Sequence, residues 1–215
     1  MFKEYCKRFA FCILSLALYA FGCFLGVKAG GAGTNAWNTL PLGISESIGV
    51  SFGTGTFLIS LLIIVVDIIG KGKLGFGTIL NVLLIPTFSD IYIALFKFIP
   101  DAPNSLFGVF YSVAGQFIIA FASVLYMSPG LGCGPRDTLM IIIGKKLPKA
   151  PIGIVKFCIE IGVLVIGFLL GAPIGIGTVL VLLLQAGIFQ LACRVTHFEP
   201  RGVQHEGVLD TCRRF

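Results

Sequence analysis

The stretch LGFGTIL at residues 74–80 recurs about 100 residues later as IGIGTVL at residues 174–180. A second motif precedes each copy, because Gly31-x-Gly33, followed by the triplet NTL at 38–40, returns as Gly130-x-Gly132, followed by DTL at 137–139. Each copy also carries three long apolar runs. Since three crossings are an odd number, the second copy enters a membrane upside down relative to the first. The sequence therefore predicts two inverted repeats, an architecture that many membrane transporters share.

Composition sets the class of protein before any motif is considered. The chain has 215 residues, of which 56% are hydrophobic and 12% are charged, whereas a soluble domain has about 25% charged residues. These values indicate an integral membrane protein. The first apolar run is too long for the core of a cleavable signal peptide and is expected to be the first span.

We predict an all-α fold with six transmembrane helices, because a span needs about 20 apolar residues and lipid leaves the backbone no other partner. The predicted spans are 9–27, 52–69, 74–98, 106–127, 152–170 and 174–193. The first repeat is expected at 1–104, the second at 105–194 and a polar tail at 195–215.

The basic residues predict the orientation of the spans. With the N-terminus inside, thirteen of the 16 Lys and Arg residues fall on the cytoplasmic side, which is a strong positive-inside bias. Both termini are therefore expected in the cytoplasm. The same bias accounts for the net charge of +6 without a nucleic-acid partner.

Two segments are too short to cross, and each begins with a Gly-rich loop. Helices are expected at 36–48 and 136–147, as re-entrant or interfacial segments. Glycine loops and helix N-termini both favour anions, and Asn38-Thr39 and Asp137-Thr138 are each expected to cap a first turn. The predicted substrate-binding residues are Gly31, Gly33, Asn35, Trp37, Asn38, Thr39, Gly132, Gly134, Arg136, Asp137 and Thr138.

Other interpretations of these motifs stay open. The loops can be ordinary turns leading to helices at the interface. The Gly-x-Gly-Thr motifs favour close packing of helices through small residues, with an unwound backbone that exposes carbonyls to a substrate as the alternative.

Polar groups inside the spans form a second set of candidates, because charged groups there are costly and usually functional. Glu160 lies one helical turn from Lys156 and can pair with it, either as a structural ion pair or as a coupling charge. Asp90 and Gln190 occupy matching depths in the two copies and suit a symmetric cavity, whereas Asp67 is expected to be solvated. Further hydrogen-bonding candidates are Asn81, Gln116 and Gln185.

The stretch GCGPRDTL at 132–139 resembles bacterial integral membrane proteins of the YczE/YitT-like group. The weaker first copy NAWNTL at 35–40, Glu160 and the GIGT stretch at 175–178 share this resemblance. The group typically has Pro-Trp-Asp where this chain has Ala36-Trp37-Asn38. The resemblance implies a bacterial inner-membrane protein with a transport role and supplies no substrate.

The leading hypothesis is a small secondary transporter or facilitator that moves a small anionic or zwitterionic organic solute by alternating access between the repeats. One alternative is a ligand-binding membrane subunit of a vitamin-type importer energised by an ATPase. Another is a non-transporting assembly or regulatory protein. No enzymatic motif, metal ligand set or cofactor site is predicted. The expected partners are the lipid bilayer and a small-molecule solute, and a homodimer is left open.

Overall fold

The computed structural model describes residues 2–149, 152–198 and 206–208, and regular secondary structure within them is helical throughout. A single 3-10 turn, Gly30–Ala32, precedes the second helix. Most of the predicted polar tail at 195–215 lies outside the described residues. The α-helices are α1 (Phe2–Lys28), α2 (Ala36–Ile48), α3 (Phe52–Ile69), α4 (Phe76–Leu95), α5 (Ser105–Met127), α6 (Pro135–Lys146), α7 (Ile152–Leu169) and α8 (Ile176–Val195).

Five of these helices, α1, α3, α4, α5 and α8, are long and apolar enough to cross a membrane. The predicted fifth span corresponds to α7, an apolar helix of 18 residues. The two short helices are present at 13 and 12 residues. An all-helical protein built around apolar, membrane-length helices is thus confirmed.

The predicted boundaries differ from the structure for local reasons. The first helix begins at Phe2, seven residues before the predicted span, because the polar residues that precede the apolar run are helical too. The sixth helix begins at Pro135, since proline has no N–H to lose at a first helical position. The fourth and eighth helices begin just after Gly75 and Gly175, which serve as N-caps.

The helices pack in a pattern in which most contacts within one half have a counterpart in the other. The centre is the pair α1 and α5, with α4 packed against α1 and α8 packed against α5. The short helix α2 contacts α3 and α7, and the short helix α6 contacts α7 and α3. A methyl group at Gly22 would lie 2.7 Å from the carbonyl oxygen of Gly115, so small residues bring the central pair together. One break in the pattern is that α3 packs along α4, whereas α7 and α8 approach only loosely within residues 152–198.

Each Gly-rich loop docks on the Gly-x-Gly-Thr motif of the other half. A methyl group at Gly132 would lie 2.8 Å from the Cα of Gly75, and the Gly77 N–H donates to the Leu131 carbonyl at 2.8 Å. The Thr78 hydroxyl donates to the Cys133 carbonyl at 2.6 Å. The motifs do pack closely, as predicted, but against a loop rather than a helix.

The second docking contact uses the corresponding residues. Gly33 has φ +77°, and a methyl group there would collide with the Thr178 hydroxyl and the Gly175 nitrogen. The Ser112 hydroxyl of α5 donates to the Gly33 carbonyl. Only glycine allows this combination of a positive φ and a close backbone approach. The two loops are thereby held inside the bundle, at the starts of α2 and α6.

Candidate functional site

A cavity of about 530 Å³ lies where the first turns of α2 and α6 meet inside the bundle. Its walls come from both short helices and from all six long ones, α1, α3, α4, α5, α7 and α8. It brings together ten of the residues that the sequence predicted as binding or intramembrane polar groups. These are Asn35, Trp37, Asn81, Gln116, Gly134, Arg136, Asp137, Lys156, Glu160 and Gln185.

Trp37 and Arg136 occupy matching positions in the two copies, and they meet in the cavity. The guanidinium carbon of Arg136 lies 5.0 Å from the centroid of the indole ring. Within residues 2–149, 152–198 and 206–208, Arg136 has no carboxylate within ion-pair distance. A cation–π contact holds such a group without neutralising its charge, so its fork of donors stays available to a carboxylate or phosphate.

The first turn of α2 is capped differently from the prediction. Asn35 is the N-cap, and its side-chain oxygen accepts from the Asn38 N–H at 2.9 Å. The hydroxyl of Thr39 donates back to the Asn35 carbonyl at 3.0 Å, and the Asn38 amide donates to Thr34 at 3.5 Å. The predicted capping by Asn38-Thr39 was therefore wrong, because the cap stands outside the helix it closes.

The first turn of α6 is tied to Tyr126, which is 2% exposed near the end of α5. Its hydroxyl accepts from the Gly134 N–H at 3.0 Å and donates to a carboxylate oxygen of Asp137 at 3.0 Å. The N-cap is Gly134, which has no side chain, and the Thr138 hydroxyl donates to its carbonyl at 3.2 Å. Asp137 and Thr138 thus do not cap this helix either, and Asp137 serves as the acceptor that orients Tyr126.

Glu160 forms the opposite wall of the cavity. The residue is 2% exposed, whereas the exposed face of the same helix is apolar. Lys156 lies 3.9 Å from one of its oxygens, and the Gln185 amide donates to the other. The Lys156 ammonium also lies 5.7 Å from the centroid of the Phe189 ring. The predicted Lys156–Glu160 pair is therefore present, and Gln185 joins α8 to it.

Several predicted residues lie outside the cavity. Asp90 accepts from the Gly53 N–H at 2.7 Å and from the Ser51 hydroxyl at 2.5 Å, which ties α4 to the start of α3. Gln190 is exposed on α8, so it does not mirror Asp90 across a cavity. Residues with a supporting or peripheral place are Gly31 (exposed), Gly33 and Gly132 (docked), and Asn38, Thr39 and Thr138 (buried behind the first turns).

The sequence analysis missed part of the cavity wall. Thr56 and Ser60 are buried one helical turn apart on α3 and face the cavity beside Tyr19 of α1. Two hydroxyls at i and i+4 in an otherwise apolar run were the available signal. The expectation that Asp67 is solvated was also wrong, since it is 0% exposed.

Cys133 lines the cavity between the Gly loop and α6. Burial raises the pKa of its thiol to about 11, so the neutral thiol predominates near neutral pH. Its sulfur lies 3.3 Å from the Thr138 hydroxyl. Cys133, Cys12 and Cys23 are buried, whereas Cys6 and Cys158 are exposed.

Residues 6–194 match the family described as "Family of unknown function (DUF6198)". The chain belongs to the DUF6198 family. Within the described residues of this DUF6198 protein, the match covers α1 to α8 apart from the first residues of α1 and the last residue of α8. No solved structure matches the chain.

Three curated proteins are similar to this DUF6198 protein over most of its length. An "Uncharacterized protein" of Haemophilus influenzae is 34% identical over 173 residues, which is 78% of this chain and 77% of the relative. The "Uncharacterized membrane protein YczE" of Bacillus subtilis is 29% identical over 195 residues, covering 89% and 88%. The "Uncharacterized protein YyaS" of Bacillus subtilis is 27% identical over 176 residues, covering 78% and 83%. The resemblance to YczE is thus confirmed, and the chain is a membrane protein of an uncharacterised family.

Proposed function

We propose that this protein is a small secondary transporter or facilitator for a small organic solute that carries a carboxylate or another compact anionic group. The observation that carries the proposal is the cavity in which Arg136 stacks on Trp37 without a carboxylate partner among the described residues. Arg136 is half-buried, and a cation in such a place is a favourable binding point for an anion. The N-terminal ends of α2 and α6 are the positive ends of their dipoles, and both line this cavity.

The far wall favours a solute that also carries a hydrogen-bonding or cationic group. Glu160 presents a carboxylate that only partly engages Lys156, because the two charged atoms are 3.9 Å apart. Asn81, Gln116 and Gln185 supply amide donors and acceptors around the cavity. A zwitterionic or hydroxylated organic acid has the charge distribution that these walls complement.

The packing pattern supports alternating access between inverted repeats. Six spans with both termini in the cytoplasm of a bacterium would place α2 and α6 on opposite sides of the membrane, which is the arrangement proposed here. The loop of each half docks on the Gly-x-Gly-Thr motif of the other, so movement of one half is transmitted to the other. Such coupled halves around a shared polar site are what rocking transporters use.

The break in the pattern suggests which way the cavity opens. Asp90 joins α3 and α4 through the Ser51 hydroxyl and the Gly53 N–H. The corresponding pair, α7 and α8, is joined near Glu160 and stays loose elsewhere within residues 152–198. With the orientation proposed above, the cavity is closed toward the outside and opens toward the cytoplasm between α7 and α8.

Uptake into liposomes tests the proposal. Purified protein is first screened in detergent with small carboxylates and amino acids, since a ligand that binds the folded form raises its melting temperature. Solutes that stabilise the protein are then measured for entry into proteoliposomes. We expect uptake by the wild type and by Arg194→Ala, in which an exposed arginine at the end of α8 is removed. Uptake should fall to background in the Arg136→Ala, Glu160→Gln double variant.

The outcomes separate the three hypotheses. If no stabilising solute crosses faster through the wild type than through the double variant, the transport mechanism is wrong. Tight binding without uptake, together with co-purification of an ATPase, favours the subunit of a larger importer. Absence of binding to every carboxylate and amino acid, with full tolerance of Arg136→Ala, favours a non-transporting role.

A further inference from the structure

Asp67 is a buried carboxyl group to which nothing above gives a role. It lies near the C-terminal end of α3, it is 0% exposed, and neither side-chain oxygen has a hydrogen-bond partner within the described residues. Its backbone carbonyl accepts from the Gly72 N–H at 2.8 Å, which fixes the turn that follows α3. Glu160 and Asp90, by contrast, both have partners.

Asp67 differs from the residue at the matching place in the other half. Gly167 of α7 occupies the matching place, and a methyl group there would lie 2.9 Å from the backbone of α2 at Thr39 and Leu40. Glycine therefore lets α7 and α2 pack with their backbones in contact. The corresponding crossing of α3 with α6 contains an aspartate instead, and it is packed less closely.

Among the described residues, no counter-charge is paired with Asp67. On α6, Thr138 and Ile142 pack on the turn at Gly72, while Lys145 and Lys146 are exposed at the far end. Lys71 and Lys73 in the turn are exposed. The charged residues of the other packed helices lie at distant ends, Glu46 on α2 and Asp90 on α4. The thiol of Cys133, which is neutral near neutral pH, interacts electrostatically with Asp67.

We propose that Asp67 is a proton-binding site that controls how α6 seats on α3. A carboxyl with no partner in a dry site is stable only in its neutral form, because an unpaired charge is poorly solvated there. Loss of the proton places that charge at the α3–α6 crossing. The helix crossing must then admit water or a cation, and α6 must move away from α3.

Movement of α6 reaches the cavity directly. Arg136 and Asp137 share the first turn of α6 with Thr138, which packs on the turn after α3 together with Ile142 one helical turn later. Displacement of α6 therefore alters the contact between Arg136 and Trp37. The use of this proton to drive solute movement rests on the proposed function. The protonation and the helix movement do not, and they can be measured without a solute.

The protein contains its own reporter, because Trp37 is the only tryptophan in the chain. Its emission is recorded in detergent between about pH 5 and about pH 9, a range that spans the change from a neutral to a charged buried carboxyl. We expect a reversible transition in the wild type and in Asp90→Asn. We expect no transition in Asp67→Asn, which is permanently neutral, or in Asp67→Gly, which copies the crossing at Gly167.

A second measurement reads the proton itself. The infrared carbonyl band of a protonated carboxyl should be present in the wild type on the acidic side of the transition and reduced by one group in Asp67→Asn. The proposal is overturned if the emission of the wild type is constant over the range, or if Asp67→Asn keeps the transition. Should Asp67→Asn fail to fold, Asp67→Gly decides by the same criteria. Failure of solute uptake leaves these results unchanged.

Discussion

At the scale of single residues, the centre of the molecule is the contact between two side chains that the repeat places at matching positions. Trp37 supplies an aromatic face and Arg136 supplies a cation, so a symmetric backbone carries an asymmetric pair. Such a contact is worth about 0.5 to 2 kcal/mol. It holds the guanidinium in place while leaving its charge unneutralised.

Replacement of Arg136 by Gln tests this contact. We expect a shift in Trp37 emission, and at least a roughly tenfold loss of affinity for any carboxylate that stabilises the wild type, because hydrogen bonds to charged groups are worth about 1.5 to 3 kcal/mol. Fluorescence and thermal-shift titrations measure the two effects. Arg194→Gln, which removes an exposed arginine on α8, should change neither. Unchanged carboxylate affinity in Arg136→Gln would place the anion elsewhere.

Glycines in one loop differ sharply in what their substitution should do. Gly33 has φ +77° and no space for a methyl group, whereas Gly31 in the same loop has nothing within 4 Å of the added carbon. We expect Gly33→Ala to lower the free energy of unfolding by about 2 kcal/mol or more, from backbone strain and overpacking, and Gly31→Ala to have little effect. Melting temperatures in detergent compare the two. Equal melting temperatures would mean that docking on Gly175 and Thr178 does not stabilise the fold.

At the scale of helices, Asp90 joins two elements at one end of the bundle. Its carboxylate accepts from the Gly53 N–H in the first turn of α3 and from the Ser51 hydroxyl before it. A negative group at a helix N-terminus interacts favourably with the helix dipole. The close approach is possible because a side chain at Gly53 would collide with Asp90 and the Pro86 carbonyl.

Asp90→Asn should therefore loosen α4 from α3. We expect a loss of about 1 kcal/mol in the free energy of unfolding, since an amide keeps one hydrogen bond and loses the charge. Thermal unfolding gives the comparison, with Glu46→Gln as a control because Glu46 is an exposed carboxylate on α2. If both variants melt with the wild type, the carboxylate contributes nothing to holding these two helices together.

At the scale of the whole molecule, the repeat in the sequence predicted the elements better than their contacts. The short helix α2 was predicted at residues 36–48, where it occurs, because a Gly-rich loop precedes this stretch and a predicted span follows it. The docking of each loop on the other half's Gly-x-Gly-Thr motif was not foreseen. Spacing along a chain carries no information about which distant segment fills the space above a glycine.

The residues of the cavity wall likewise divide into those that the sequence predicted and those that it did not. Glu160 was found because a charge inside an apolar run is expensive, and Arg136 because it opens a short helix after a Gly-rich loop. Ser60 was not, since a serine hydroxyl in a helix commonly bonds to its own backbone, and Tyr126 was not, since the ring of a tyrosine suits an apolar run. Asp67 was misjudged for a different reason. Its place near a helix end suggested solvent, whereas the turn after α3 and α6 cover it completely.

The orientation predicted for the whole protein rests on its basic residues and can be measured independently of any solute. If both termini are cytoplasmic, the turn between α4 and α5 lies outside, and the turns after α3 and α6 lie inside. Alkaline phosphatase, which is active only outside the cytoplasm, is fused after Asn104, Lys73 or Lys145. We expect high activity for the Asn104 fusion alone, and cytoplasmic fluorescence from a fluorescent protein placed after Phe215. Activity after Lys73 but not after Asn104 would reverse the orientation. A fusion pattern in which α5 does not separate Asn104 from Lys145 would remove the opposed orientation of the two halves, and alternating access between them would fall with it.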